Sequence, residues 1–219
     1  MQLGFGEEQK YTYIKIENGK ITVQAKEGDP KAKSRTIEKG QNKGKVIWFK
    51  EYPSFTGIIQ SVRLRQSPWS KFDKLISITF KGAYSLDIPV DSPYGNSFAM
   101  RCQNIDLDKP VKFAPYKIER EDKPGKFNQG VVLYQESGKV EPSLNWKEHV
   151  PSIVKLNRPI NGSEWDKSDQ IKFFEDHLSR WIEDNNLAQG NSFSAFESEE
   201  EGGLNEDPDH KEENNEIPF

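Results

Sequence analysis

The sequence contains a single cysteine, Cys102, so an intramolecular disulfide is excluded. A zinc site is not expected either, because Cys102 lacks nearby partner ligands, and its expected role is that of a small buried apolar residue. No apolar run approaches the ~20 residues that a membrane-spanning helix needs. The first ten residues also lack the basic start and apolar stretch of a secretion signal. We therefore expect a soluble protein of a reducing compartment, the cytoplasm.

The signatures of common enzymes are also missing. His177 falls on a predicted helix and His210 in a polar tail, and neither has a neighbour that suggests a catalytic dyad. The phosphate-binding pattern GxxxxGK[ST] does not occur. We expect no enzymatic activity, no metal and no cofactor. One alternative is a metal-dependent nuclease, although acidic residues near turns are usually turn formers. Its conceivable ligands are Asp87, Asp91, Asp106 and Asp108.

Hydrophobic residues are scarce, at 33% of the 219 residues, while charged residues make up 30%. Part of the chain therefore lies outside any packed core. The charge is also uneven, since residues 188–219 hold ten acidic residues and one base, Lys211, a net charge of −9. As the whole chain carries −4, residues 1–187 carry +5. A basic body with an acidic tail is typical of proteins with a nucleic-acid partner.

Short β-like runs dominate the body. The clearest signal is at 11–26, where apolar residues flank Asn18-Gly19, a pair that suits the type I′ turn of a β-hairpin. Residues 27–45 are rich in Lys and Gly and predict a basic, mobile loop. Further strands are predicted at 46–52, 57–65, 75–80, 84–90, 111–120 and 131–135, with one short helix at 95–104. This order is compatible with a five-stranded barrel of the oligonucleotide-binding (OB) type, with an extra hairpin.

A longer helix is predicted at 168–186, with Ser168 as its N-cap. Its apolar stripe is expected to pack against the barrel. The stripe consists of Ile171, Phe174, Leu178, Trp181 and Ile182. The acidic residues after 187 predict disorder. We therefore expect a mainly β protein with a binding domain at 1–187 and a disordered acidic tail at 188–219.

Rings and cations alternate on several predicted strands. In 46–52, Ile47 and Phe49 are expected to face the core, and Trp48, Lys50 and Tyr52 to face outward. Outward rings can stack nucleobases, and outward cations can contact phosphates. The same reasoning predicts contacts from Arg63, Arg65, Tyr116 and Lys117, with Lys112 and Arg120 as further candidates. Trp69 and Lys71 are also predicted to make contacts, because they place a ring beside a base in a turn, where a Trp is harder to bury than in a strand.

The acidic tail ends on an apolar tripeptide, Ile217-Pro218-Phe219. Such an ending suits a docking peptide, because the Phe219 ring can fill an apolar pocket while its carboxylate meets a basic side chain. Pro218 limits the entropy that the peptide loses on docking. We expect this tip to bind other proteins.

With this tip the chain resembles bacterial and phage single-stranded DNA-binding proteins, many of which end in an acidic stretch followed by Ile-Pro-Phe. The resemblance covers the last few residues and the order of body, linker and tip. It implies an OB fold, sequence-tolerant binding of single strands, and recruitment of replication, recombination and repair proteins by the tip. The body matches that family nowhere, and Glu-Glu-Asn-Asn-Glu replaces its usual Asp run. A divergent phage protein acting in the host cytoplasm fits this pattern.

Two alternatives stay open at this level. One is the nuclease, and the other is a β-barrel adaptor whose basic face meets an acidic protein rather than nucleic acid. The choice between DNA and RNA is also open, because stacking surfaces serve both. Site size and oligomeric state do not follow from the sequence.

Overall fold

The chain folds mainly into β-strands, which form two open sheets and a separate hairpin. A computed structural model describes residues 11–38, 42–67, 74–158 and 162–189, and only the backbone of 155–158, 162–165 and 189. The strands are β1 Thr12–Glu17, β2 Lys20–Gln24, β3 Lys33–Thr36, β4 Val46–Tyr52, β5 Phe55–Gly57, β6 Ile59–Gln66, β7 Lys74–Phe80, β8 Tyr84–Pro89, β9 Val111–Glu119, β10 Phe127–Gln135, β11 Gly138–Lys139, β12 Val154–Arg158 and β13 Gly162–Asp166. The helices are α1 Pro93–Ala99, α2 Trp146–His149 and α3 Ser168–Asp184, with 3₁₀ turns at Cys102–Asn104 and Leu187–Gln189.

The two sheets differ from the closed five-stranded barrel that we expected. The first has seven strands in the order β3-β4-β2-β1-β8-β7-β6, and the second has four in the order β11-β10-β9-β5. Within the described residues each sheet keeps two edge strands, so neither closes on itself. The pairing is antiparallel except between β1 and β8, which run parallel.

The predicted hairpin at the start of the body is confirmed. Asn18 and Gly19 both have positive φ angles, 50° and 76°, as a type I′ turn requires. Gly19 also has to approach β9 closely, because a Cβ on it would lie 2.5 Å from the backbone nitrogen of Lys117. The backbone nitrogen of Gly19 donates to the Tyr94 hydroxyl at 3.0 Å. The turn is therefore fixed against the second sheet.

Two segments differ from the expectation. Residues 27–45 were predicted as a loop, but Lys33–Thr36 forms the edge strand β3 by pairing with β4. Residues 145–165 carried no predicted element, yet they hold α2 and the β12–β13 hairpin. Most of the predicted tail, 190–219, lies outside the described residues.

One hydrophobic core joins both sheets to the helices. Phe80 of the first sheet packs edge-on against Phe113 of the second, with ring centroids 5.4 Å apart. Phe98 of α1 stacks on Phe113 at 5.9 Å and meets Trp181 of α3 edge-on at 5.9 Å. These four side chains are at most 3% exposed. Helix α3 therefore belongs to the same folded unit as the sheets.

Helix α3 confirms the predicted apolar stripe but not its predicted cap. Phe174, Leu178 and Trp181 are buried, as is Ile182, while Ile171 is half-buried. Ser168 is the first helical residue rather than the N-cap. Asp166 precedes the helix and accepts from the Ser168 backbone nitrogen at 2.9 Å and from its hydroxyl at 2.7 Å. No helix among the described residues has the length and apolarity to cross a bilayer.

Cys102 and His177 meet inside the core. Cys102 is fully buried, as expected, and its Sγ lies 3.8 Å from Nε2 of His177. Burial raises the pKa of the Cys102 thiol to about 12. Burial also lowers the pKa of His177; the Arg180 charge adds to this effect and the Ala99 carbonyl opposes it. Both side chains are therefore uncharged at neutral pH.

We expect His177 to make the fold sensitive to mild acid. Because the pKa of His177 is lower in the folded state than its unfolded value of about 6.5, the unfolded chain takes up the proton more readily. The free energy of unfolding should therefore fall as the pH drops below about 6.5. Urea titrations at pH 7.5 and pH 5.5 should show this loss in the wild type and a smaller loss in His177→Gln. Equal losses in both proteins would contradict the prediction.

Candidate nucleic-acid interface

Strand β4 carries the predicted row of two rings and a cation. The strand pairs with β2 on one side and β3 on the other, which holds Trp48, Lys50 and Tyr52 on one face in alternation. Trp48 and Lys50 are half-buried, and Tyr52 is 44% exposed. We call the side of β4 with these three residues the ribbon face.

The ribbon face continues the core-facing side of the first sheet. Lys50 pairs with Val23, and Val23 pairs with Ile14, which is 1% exposed. Paired residues on adjacent strands point to the same side of a sheet, so the ribbon face looks the same way as Ile14. On β4 the side chains of this side are no longer fully buried, since Trp48 and Lys50 are half-buried and Tyr52 is exposed. The core-facing side of the first sheet thus continues into a face that carries two rings and a cation.

Ile47 and Phe49 do not form the buried side of β4, in contrast to our prediction. Both are only half-buried and lie on the opposite face of the strand. The Arg35 guanidinium lies over the Phe49 ring, 5.3 Å from its centroid. Phe49 is thus packed against a charged surface side chain rather than against the core.

Lys50 has an acidic partner that the sequence did not indicate. Its Nζ lies 2.5 Å from Oδ2 of Asp29, in the segment before β3. The hydrogen bond from Lys50 lowers the pKa of Asp29, and the same bond raises the pKa of Lys50. A phosphate approaching Lys50 therefore has to compete with one carboxylate.

The face of the first sheet opposite to the ribbon face carries several ion pairs around β4. Glu51 meets the ammonium groups of Lys20 at 3.0 Å and Lys33 at 2.6 Å, which lower the pKa of Glu51. Arg35 pairs with Glu17 at 2.8 Å. The charges on this face are largely matched, so it is a poorer surface for a polyanion than the ribbon face.

Arg63 and Arg65 lie on the side of the first sheet that faces away from the ribbon face. They alternate on β6 with Val62, which is fully buried and pairs with Ile78 in the core. Arg65 pairs with Asp87 at 2.5 Å. The predicted platform is therefore split between the two sides of one sheet.

Tyr116 and Lys117 have structural contacts in the second sheet. Tyr116 is half-buried and pairs with Gly130, where a Cβ would lie 2.8 Å from the Tyr116 hydroxyl. Lys117 Nζ donates to Asn18 Oδ1 at 3.0 Å and lies 4.6 Å from the Phe127 ring centroid. Lys117 therefore holds the β1–β2 turn against β9, and Tyr116 packs against β10. The remaining candidates, Trp69, Lys71 and the tip Ile217, Pro218 and Phe219, lie outside the described residues.

The second sheet presents a row that the sequence reasoning missed in part. Lys139 of β11 pairs with Tyr134 of β10, and Tyr134 pairs with Lys112 of β9. Tyr134 is 39% exposed and both lysines are exposed. The signal was present in the sequence, because Val131 and Leu133 alternate with Tyr134 and predict that its ring points outward.

Two of the four acidic residues considered as metal ligands have basic partners. Asp87 is bound to Arg65, and Asp106 pairs with Lys109 at 3.3 Å. In the part of the chain that the structure describes, no three His, Cys, Asp or Glu side chains are grouped so that they could hold a metal ion.

Comparison with known proteins adds no family assignment. The chain matches no protein-family model, and neither the curated proteins nor the solved structures gave a significant match.

Proposed function

We propose that this protein binds single-stranded DNA without regard to sequence, and that the ribbon face holds the bases. The observation that carries the proposal is the placement of Trp48 and Tyr52 on either side of Lys50, on one face of β4. Every base has a π-face, so a ring can stack on any base, and each stack contributes roughly 1–3 kcal/mol. Lys50 would contact the phosphates between the stacked bases.

The proposal needs an open face with rings and cations rather than a closed barrel. The OB barrel that the resemblance implied is not part of it, because the described sheets are open. The charge distribution supports a polyanionic ligand, since residues 1–187 carry +5 and the tail carries −9. We place the protein in the bacterial cytoplasm, where the Ile-Pro-Phe tip would recruit proteins of DNA replication, recombination and repair.

A gel shift with fluorescent oligo-dT over a salt series tests this function. We expect binding that weakens steeply with salt, because released counterions drive the association. Oligo-rU of equal length measures the preference between DNA and RNA. A protein-only adaptor would bind neither oligonucleotide at low salt, and that result would contradict the proposal. Shortening of labelled DNA in the presence of Mg²⁺ would support the nuclease instead.

The Lys50–Asp29 pair gives a sharper prediction. Asp29→Asn removes the competing carboxylate, while the Asn oxygen still accepts from the Lys31 backbone nitrogen. We expect Asp29→Asn to tighten oligo-dT binding by about 1.5- to 5-fold, the range of an exposed ion pair. Lys50→Gln should weaken binding and reduce the slope of log affinity against log salt by about 0.7. An unchanged slope in Lys50→Gln, with no tightening in Asp29→Asn, would remove Lys50 from the interface.

The acidic tail should compete with DNA for the body. Removing 190–219 keeps the buried Leu187 and deletes the full net charge of −9. We expect several-fold tighter oligo-dT binding at low salt, and a smaller difference at high salt because salt screens the attraction. A control that lacks only 217–219 retains the acidic residues and should bind like the full chain. Unchanged or weaker binding after removal of 190–219 would argue against this competition.

A further inference from the structure

An open depression lies on the outer side of the second sheet. It is lined by Pro53, Ser54, Lys112, Ala114 and Tyr134. Tyr134 and Lys112 are paired neighbours on β10 and β9, and the Lys112 ammonium lies 5.9 Å from the Tyr134 ring centroid. We propose that this depression is a second contact site for single-stranded DNA, which receives the strand beyond Tyr52. This site extends the strand from the ribbon face and therefore rests on the function proposed above.

The two sites are joined through the chain itself. Tyr52 ends β4, and the next two residues, Pro53 and Ser54, line the depression. Consecutive Cα atoms are about 3.8 Å apart, so the Cα of Tyr52 lies one such step from that of Pro53 in the depression wall. The ring of Tyr52 and the wall of the depression are therefore adjacent along the chain.

The depression has the chemistry that a nucleotide needs. Tyr134 is 39% exposed and offers a ring face, and Lys112 is exposed beside it. Among the described residues Lys112 has no carboxylate partner, in contrast to Lys50. On the far side of Tyr134, Lys139 completes a row of cation, ring and cation, with Glu141 3.8 Å from its ammonium. A base on Tyr134 would thus have a cation on each side for its phosphates.

The position of the row on the sheet leaves it open to a ligand. Phe113 and Leu133 are fully buried on the inner side of β9 and β10, and their neighbours Lys112 and Tyr134 point outward by alternation. Thr56 of β5 extends the same row to the sheet edge. Removing the Tyr134 ring should therefore leave the core intact.

The test uses the full-length protein and oligo-dT graded from about 4 to about 16 nucleotides, the range that single binding domains cover. Tyr134→Ala removes the ring and Lys112→Gln removes the charge. Tyr13→Ala is the matched ring control, since Tyr13 is 62% exposed on the outer side of the first sheet. Lys172→Gln on α3 is the matched charge control.

We expect Tyr134→Ala to bind the shortest oligonucleotide that the wild type holds with unchanged affinity, and to lose about fivefold or more on the longest. Lys112→Gln should reduce the salt slope by about 0.7 on long oligonucleotides only. If the wild type binds and Tyr134→Ala binds equally well at every length, this site alone is overturned. Equal losses at every length would overturn its position beyond Tyr52. Absence of wild-type binding at all lengths would overturn the proposed function and this site together.

Discussion

Replacing both rings of the ribbon face, in Trp48→Leu with Tyr52→Ala, should reduce oligo-dT affinity by about thirtyfold or more. Each stack is worth roughly 1–3 kcal/mol, and two separate stacks lose their contributions nearly additively. Leucine at position 48 keeps an apolar side chain in a half-buried place, so a loss of binding there reports stacking rather than packing. Fluorescence anisotropy with labelled oligo-dT measures both single variants and the pair.

Two controls keep this result interpretable. Trp48→Phe retains a ring and should keep most of the affinity. Tyr13→Ala removes an exposed tyrosine from the side of the first sheet that faces away from Tyr52, and should bind like the wild type. If Trp48→Leu and Tyr52→Ala both bind like Tyr13→Ala, the ribbon face does not hold the bases.

Trp181→Ala should lower the free energy of unfolding by about 3–5 kcal/mol, the usual range for a large aromatic residue removed from a core. Trp181 is 3% exposed and packs on Phe98, which stacks on Phe113 of the second sheet. The loss is a large share of the roughly 5–15 kcal/mol that holds a typical domain folded. Urea denaturation followed by circular dichroism measures it.

Lys172→Ala provides the comparison on the same helix. Lys172 lies on the exposed side of α3 and pairs with Asp176 at 3.1 Å, an interaction worth a few tenths of a kcal/mol. A change of less than about 1 kcal/mol in Trp181→Ala would show that α3 is an appendage rather than part of the core.

The elements with strong local signals were predictable from the sequence. The β1–β2 hairpin followed from Asn18-Gly19, and β4 has the predicted bounds Val46–Tyr52. The apolar stripe of α3 also identified its buried side. In each case the information lies within a few residues, either in a turn that needs positive φ angles or in one period of alternation.

Elements that form through distant pairing were missed. Lys33–Thr36 has no apolar residue and four exposed side chains, and it becomes a strand only because β4 offers its edge. Strand β10 begins at Phe127, earlier than predicted, because the polar residues before Val131 pair with β9. Propensity alone does not distinguish such segments from loops.

The alternation along β4 was predicted correctly, but the arrangement of the candidate residues on the sheets was not. Alternation puts Trp48, Lys50 and Tyr52 on one side of β4. It does not determine which side of β4 lies on the core-facing side of the sheet, because both sides carry apolar residues. The order of strands in the sheet decides that Arg63 and Arg65 lie on the other side. The Asp29 partner of Lys50 lies between β2 and β3, and the position of that segment depends on how both strands pair with β4.

The most direct test of the central claim is to map where a strand touches the protein. Oligo-dT with photoreactive 5-iodouracil would be crosslinked to the full-length protein, and the modified residues would be identified by mass spectrometry. The account predicts crosslinks at Trp48 and Tyr52, lost when unlabelled oligo-dT competes. Crosslinks confined to the opposite side of the first sheet, at Tyr13 or Phe49, would contradict it.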